Sequence, residues 1–225
     1  MKRVSLIFLF FVSFLNAQNP GGVQISNNSN MVFDFGRELN PVAEDIRGSK
    51  YSIDVFQPAS ISVIPNQTIQ VRYNIYDDEI EFQNVGKVFN LIKTNEMEVV
   101  LKSSNTIYRY TNYIDASGAE NYGYLSVLLK GESVSLFAKE TIVLVPKKPA
   151  ANSYTSDEPA YYRKNKEEYY LKMNGTIRLL PKKKKDFIAF FGDKASKVEV
   201  YMKTNKLSNS SKEDLIKIAT FLNEN

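Results

Sequence analysis

From Thr68 to Ile75 polar and apolar residues alternate without a break: Ile69, Val71, Tyr73 and Ile75 against Thr68, Gln70, Arg72 and Asn74. A period of two puts successive side chains on opposite faces of an extended chain, so this stretch predicts a strand with one buried face. Met97, Val99 and Leu101 repeat the pattern against Glu96, Glu98 and Lys102. Tyr108 and Tyr110, then Tyr122–Leu129, then Val134–Val145 continue it, with Gly, Asn and Asp between the runs. Residues 51–146 therefore predict an antiparallel β meander, as a curved sheet or a partly open barrel. One run differs. Tyr122, Tyr124 and Leu128 fall on one face of it, Leu125, Val127 and Leu129 on the other. A strand apolar on both faces needs cover on both, and C-terminal helices are the expected cover.

The period changes towards the C-terminus. Residues 147–160 carry Pro149 and Pro159 among polar residues and read as a linker. Tyr169–Met173 and Thr176–Leu180 flank Asn174-Gly175, a hairpin signal because both central residues tolerate positive φ. Phe187, Ile188, Phe190 and Phe191 fit a short helix stopped at Gly192, and Asp193 is placed to cap a second. Over residues 195–206 two periods compete. Val198, Val200 and Met202 alternate like a strand, whereas Ala195, Val198, Tyr201 and Met202 share a helical face. The cap and the lysine-rich neighbours favour the helix. Ser210 or Ser211 can cap the last element, Glu213 and Asp214 suit its first turn, and Leu215, Ile218, Ala219 and Leu222 form its apolar stripe. The expected fold class is α+β: the meander, then a β-hairpin and two or three helices over residues 161–225.

The first residues read as an export signal. Lys2 and Arg3 precede the charge-free run Val4–Leu15, and the small Ala17 suits cleavage before Gln18. That run has 12 residues, short of the roughly 20 that span a bilayer as a helix. Residues 1–17 are thus expected to be a cleaved signal peptide and 18–50 a lead-in, loose over its Asn-, Gln-, Gly- and Ser-rich start at 18–32. The expected location is periplasmic or secreted, with no transmembrane segment after cleavage.

Two absences exclude whole classes of chemistry. With no cysteine there is no disulfide framework, no thiol nucleophile and no lipid-carrying residue after the signal. With no histidine the chain lacks a Ser–His–Asp triad and the commonest metal ligand. No cofactor and no metal site are expected. Charge is uneven: residues 18–135 hold 9 basic and 14 acidic residues, net −5, and residues 136–225 hold 18 and 11, net +7. The basic half suits phosphate-bearing surfaces, so contact with a membrane surface is open, while an exported chain has no expected nucleic-acid partner.

Lys182, Lys183, Lys184 and Lys185 are the candidate ligand contacts, because four cations before a helix oppose its dipole. Asp77, Asp78, Glu79 and Glu81 lack the spaced oxygen ligands and glycine of a calcium loop, and read as a solvated turn. Ser126 and Lys130, about 13 Å apart along one strand, are too distant to act as a nucleophile pair. The chain's 14 tyrosines could stack sugars or line an apolar groove, although strands carry tyrosine for packing alone. Asn66-Gln67-Thr68 and Asn174-Gly175-Thr176 match the glycosylation pattern, which is frequent by chance.

Residues 168–225 run Tyr-Tyr-Leu-Lys, a hairpin, a lysine run ending in Asp-Phe, Phe-Gly-Asp-Lys, Val-Tyr-Met-Lys-Thr-Asn-Lys-Leu and a helix beginning Glu-Asp-Leu-Ile-Lys. With Arg72–Phe82 and Gly123–Gly131 upstream, this resembles a family of exported flavobacterial-type proteins, over most of the chain after the signal. The resemblance implies an exported β-rich protein with a helical tail and brings no activity with it. The function expected is that of a non-enzymatic binding or structural module of the cell envelope, its partner a protein or another envelope component. A carrier or sensor for an apolar or anionic ligand is one alternative, and a carboxylate-based hydrolase the other.

Overall fold

The alternating runs become strands, and eleven of these join in one sheet. The computed structural model describes residues 36–39, 46–150, 152 and 156–225. The export signal over 1–17 and most of the 18–50 lead-in lie outside the described residues. The first strands are β1 (Gly36–Glu38), β2 (Gln57–Ile61), β3 (Ile64–Asn74), β4 (Glu79–Asn84), β5 (Lys87–Leu91), β6 (Glu98–Leu101) and β7 (Ile107–Ile114). Then follow β8 (Glu120–Leu129), β9 (Val134–Lys139), β10 (Ile142–Val145), β11 (Tyr161–Lys164), β12 (Glu168–Met173) and β13 (Thr176–Leu179). The spatial order is β1-β5-β4-β3-β2-β6-β7-β13-β12-β9-β8, and β8 also pairs with β7. With its C-terminal helices the chain is α+β, a curved and partly closed sheet with a helical tail.

The extra β7–β8 pairing closes a ring of five strands: β7, β8, β9, β12 and β13. When neighbours alternate in direction around an odd-numbered ring, one pair must run parallel. That pair is β13–β7, through Arg178 and Ile114. Each strand sends one buried side chain to the ring's apolar cluster: Tyr113, Leu125, Phe137, Tyr170 and Ile177, all at most 9 % exposed, with Val127 and Leu179 packed against them. The hairpin at Asn174-Gly175 belongs to this ring, and its φ angles of 54° and 80° are those the turn demands. Residues 147–160, read as a linker, join β10 to β11, and these two strands pair with each other.

The other strands curve over a second cluster that includes Val71, Ile80, Phe82, Leu91 and Val99. The order is not sequential there. After β5 the chain returns across the sheet to place β6 beside β2, and Met97, 1 % exposed, is buried in that crossing.

The two-faced run over 122–129 is covered differently from expectation. Tyr124 packs edge-on against Tyr73 and Tyr110, at 5.9 and 5.3 Å between ring centroids, and Leu125 faces the ring. Leu128 and Leu129 alone contact the helical cluster, after a register shift between Val127 and Leu129. Much of the cover is therefore the sheet itself, bent back on this strand.

At the same strand the two halves lock together. An added Cβ on Gly123 would lie 2.4 Å from Asp78 Oδ2 and 2.8 Å from Lys139 Nζ, so only glycine lets the Asp78 carboxylate approach. Asp78 accepts from Tyr73 Oη at 2.6 Å and pairs with Lys139 at 3.2 Å. Beside this lock, Arg109 of β7 is 7 % exposed and bonds Glu98 through Nε at 3.0 Å. Burial pushes the Glu98 pKa up, but Arg109 and then Lys130 outweigh it and hold the group below its ordinary 4.5. A depressed carboxylate contributes stability above its unfolded pKa and loses it as pH falls through the folded one. Glu98→Gln is expected to flatten the loss of stability below about pH 4.5, read from thermal melts between pH 3 and 7.

The tail forms α1 (Lys184–Ala189), α2 (Ala195–Thr204) and α3 (Lys212–Glu224). Asp193 does not cap α2. It lies in a single 3-10 turn, Gly192–Lys194, and no side chain caps the helix. The helical period wins over 195–204 because Val198 and Met202, four apart, are buried while Val200 is 66 % exposed. Ser211 caps α3, its Oγ accepting from Asp214 N at 3.3 Å. The stripe Leu215, Ile218, Ala219 and Leu222 packs on Val134, Leu136 and Leu171. Asn223 fixes the far end, accepting from Val134 N and donating to Val134 O, both at 2.9 Å. Leu215→Ala is expected to cost about 2–3 kcal/mol, while the exposed Lys183→Ala stays within about 0.5; denaturant midpoints decide it. Equal, negligible changes would show that the tail does not cover the sheet.

One turn is built against local preference. Val85 has φ 46° between β4 and β5 and is 86 % exposed, so a β-branched residue occupies the left-handed region without burial to compensate. Val85→Asn is expected to stabilise by about 1 kcal/mol, read as a raised melting temperature. No helix among the described residues is long and apolar enough to cross a membrane.

Candidate functional site

The outer face of β3–β5 is polar where the inner face is apolar. Arg72 stands opposite Glu81, Glu81 opposite Asn90, and Asn90 opposite Arg37. Directly opposed residues share a face, so register alone lays a polar row across β3, β4, β5 and β1. The chain from Ile46 to Asp54 borders this row. It is pinned by Ile75 N donating to Lys50 O at 2.9 Å, Ser52 N to Tyr73 O at 3.0 Å and Tyr162 N to Arg47 O at 2.9 Å. Between them lies a cleft of about 770 Å³, reaching Tyr76 and Tyr162.

The floor of the cleft is an ion pair whose carboxylate is buried and whose guanidinium is half-buried. Arg72 donates to Glu81 Oε2 from Nε at 2.8 Å and meets it through Nη2 at 2.7 Å. The Glu81 side chain is only 3 % exposed and needs further donors. Tyr51 Oη donates to its two oxygens at 3.3 Å each, and Asn74 Nδ2 to Oε1 at 3.2 Å. Arg72 Nη2 also donates to Tyr51 Oη at 2.7 Å, and its guanidinium lies 3.8 Å from the centre of the Tyr51 ring. Burial first, then the Glu81 charge, push the Tyr51 pKa up to about 12 against the opposing pull of Arg72. Tyr51 is thus a neutral phenol, accepting from one partner and donating to the other.

Around this floor most of the other charges are paired, while Asp54 accepts a hydrogen bond from Ser49 Oγ. Asn74 Nδ2 donates to Asp77 at 2.8 Å, and Lys50 lies 3.6 Å from the same carboxylate. Glu79 pairs with Lys93 at 2.8 Å. Asn90 stands apart: its Oδ1 is buried and, among the described residues, has no hydrogen-bond partner.

The acidic cluster begins in the expected turn between β3 and β4, where Asp77 is exposed, but Asp78 and Glu79 are half-buried and Glu81, on β4, is buried. Asp77, Glu79 and Glu81 line the cleft and Asp78 turns inward to Tyr73 and Lys139, each with its own partner. Among the described residues no group of three or more acidic side chains is gathered to hold a metal ion. Lys182, Lys183, Lys184 and Lys185 are exposed, beside and within the first turn of α1, and none lines the cleft. Lys182 reaches Glu168 at 3.6 Å. Ser126 Oγ donates to Ala138 O at 3.1 Å and Lys130 lies 3.4 Å from Glu98, so these two do not meet.

Tyr51, Asn90 and Tyr162 carry no signal in the sequence pattern, and Arg72 and Asn74 read there only as the polar side of a strand. The available signal was that a charged and an amide residue alternate with apolar ones on neighbouring strands, and register was needed to align them. Comparison of the chain with known protein families, curated proteins and solved structures finds no match.

Proposed function

We propose that this chain is an exported, non-enzymatic binding module of the cell envelope, and that the cleft on β3–β5 is its ligand site. The observation carrying this is the Arg72–Glu81–Tyr51 network, with its carboxylate buried, at the base of a roomy cleft. Its volume of about 770 Å³ falls among small-molecule sites, which run to about 300–1,000 Å³. Burying an ion pair is expensive for stability alone, and a preorganised polar floor is what recognition needs. Catalysis has less support. Glu81, Asp77 and Glu79 each sit against a cation of the protein, so none of them stands free to form the facing carboxylate pair of a glycoside hydrolase. A carrier of apolar ligands has less support too, because the roomy space adjoins polar groups and the apolar clusters are filled by side chains. The exposed lysines 182–185 offer no comparable geometry.

Native mass spectrometry of the protein exported by its own host tests this. The wild type is expected to carry a non-covalent adduct that the double variant Tyr76→Ala/Asn90→Leu lacks. Absence of any adduct, or its persistence in the variant, overturns the reading.

A further inference from the structure

We infer that the cleft takes a neutral, hydroxyl-rich ligand, a saccharide rather than an ion. This rests on the reading of the cleft as a ligand site and names what it holds. The charges nearest the floor of the cleft are already paired. Arg72 is committed to Glu81, Lys50 to Asp77, and Lys93 to Glu79. At the floor, an anionic ligand would have to draw Arg72 from a carboxylate that is only 3 % exposed, and a cationic one would have to draw that carboxylate from Arg72. Either leaves a buried charge unpaired, which is strongly unfavourable. A neutral ligand leaves every pair intact.

One hydrogen-bonding group is unanswered. Asn90 borders the cleft with its Oδ1 buried and, among the described residues, without a partner, and a buried polar atom left unpaired is costly. A hydroxyl both donates and accepts, so it satisfies this amide whichever end faces the cleft. An ammonium satisfies only the oxygen and a phosphate only the nitrogen.

The wall of the cleft points the same way. Tyr76 is 41 % exposed, and its ring meets that of Tyr162 edge-on at 5.2 Å. A half-exposed ring beside hydrogen-bonding groups offers an apolar face to the C–H face of a sugar, while the polar floor takes the hydroxyls. The Tyr51 ring, by contrast, is already covered by Arg72.

Isothermal titration of the signal-free protein with maltotetraose, cellotetraose and chitotetraose tests this, with tetralysine and inositol hexakisphosphate as charged comparators. At least one saccharide is expected to bind saturably, at least tenfold more weakly to Asn90→Leu and to Tyr76→Ala. Val200→Ala, on α2 and outside the cleft, is expected to bind as the wild type does. Melting curves of the variants establish that each is folded. Binding of a charged probe alone, sensitive to the same substitutions, overturns the saccharide and leaves the cleft standing as a ligand site. Saccharide binding indifferent to both substitutions overturns the site. Binding of none of the probes overturns the inference, and the adduct experiment then decides separately whether the cleft holds anything.

Discussion

Phe137→Ala is expected to destabilise the protein by about 3–5 kcal/mol, a large share of the roughly 5–15 kcal/mol that holds a domain folded. Phe137 is 0 % exposed and contributes one of the five buried side chains of the strand ring. The cost of such a truncation depends on how far the surroundings collapse into the space left behind. Here they are poorly able to. β9 is paired along β8 on one side and β12 on the other, so moving its backbone inward would break two ladders. The loss should therefore lie at the upper end, seen as a lower urea midpoint with an unchanged slope. Tyr122→Ala, on the neighbouring strand but 56 % exposed, should change stability by no more than about 0.5 kcal/mol. A loss below about 1 kcal/mol for Phe137→Ala would mean that the ring is open in solution.

The second large effect belongs to the cleft. Arg72→Met should cost about 3–5 kcal/mol, because it leaves the Glu81 carboxylate buried and without its cation. Tyr51 and Asn74 still donate to it, but neutral donors compensate a desolvated charge only in part. Removing both charges should cost far less. In Arg72→Met/Glu81→Leu neither ion is stranded, and such replacements are often neutral or even stabilising. Stability of the two single variants and the double variant, measured as a cycle, separates the charge from the packing of Arg72 on Tyr51 and Phe56. If the double variant loses as much as Arg72→Met, packing rather than charge is what Arg72 supplies. If the double variant is as stable as the wild type yet lacks the adduct, the ion pair is kept for binding and not for the fold.

Much of this architecture is legible along the chain, because its signals are local. The alternation through Ile69–Ile75 gives a strand and its buried face. Asn174-Gly175 gives a hairpin, since the turn's two positive φ angles are a property of those residues. The stripe Leu215–Leu222 gives an amphipathic helix, capped by Ser211 as its neighbours suggest. Absence of cysteine and histidine settles which chemistries are closed. Each of these depends on residues within a few positions of one another.

What the tertiary structure decided depends on pairings between distant residues. Closure of the ring rests on β8 meeting β7 and β13 meeting β7, and no period in the sequence encodes which strand is whose neighbour. That closure, rather than the helices, supplies most of the second face of Tyr122–Leu129. Asp193 fails as a cap because the chain passes from α1 to α2 through a 3-10 turn, leaving the carboxylate no free N–H groups to meet. The acids at 77–81 read as solvated because their partners are elsewhere: Arg72 and Lys93 on other strands or beyond them, Lys139 some sixty residues on. The cleft is the extreme case. Its row of Arg72, Glu81, Asn90 and Arg37 exists only in register, and a shift of one residue in any of these strands would turn its polar side chain to the opposite face.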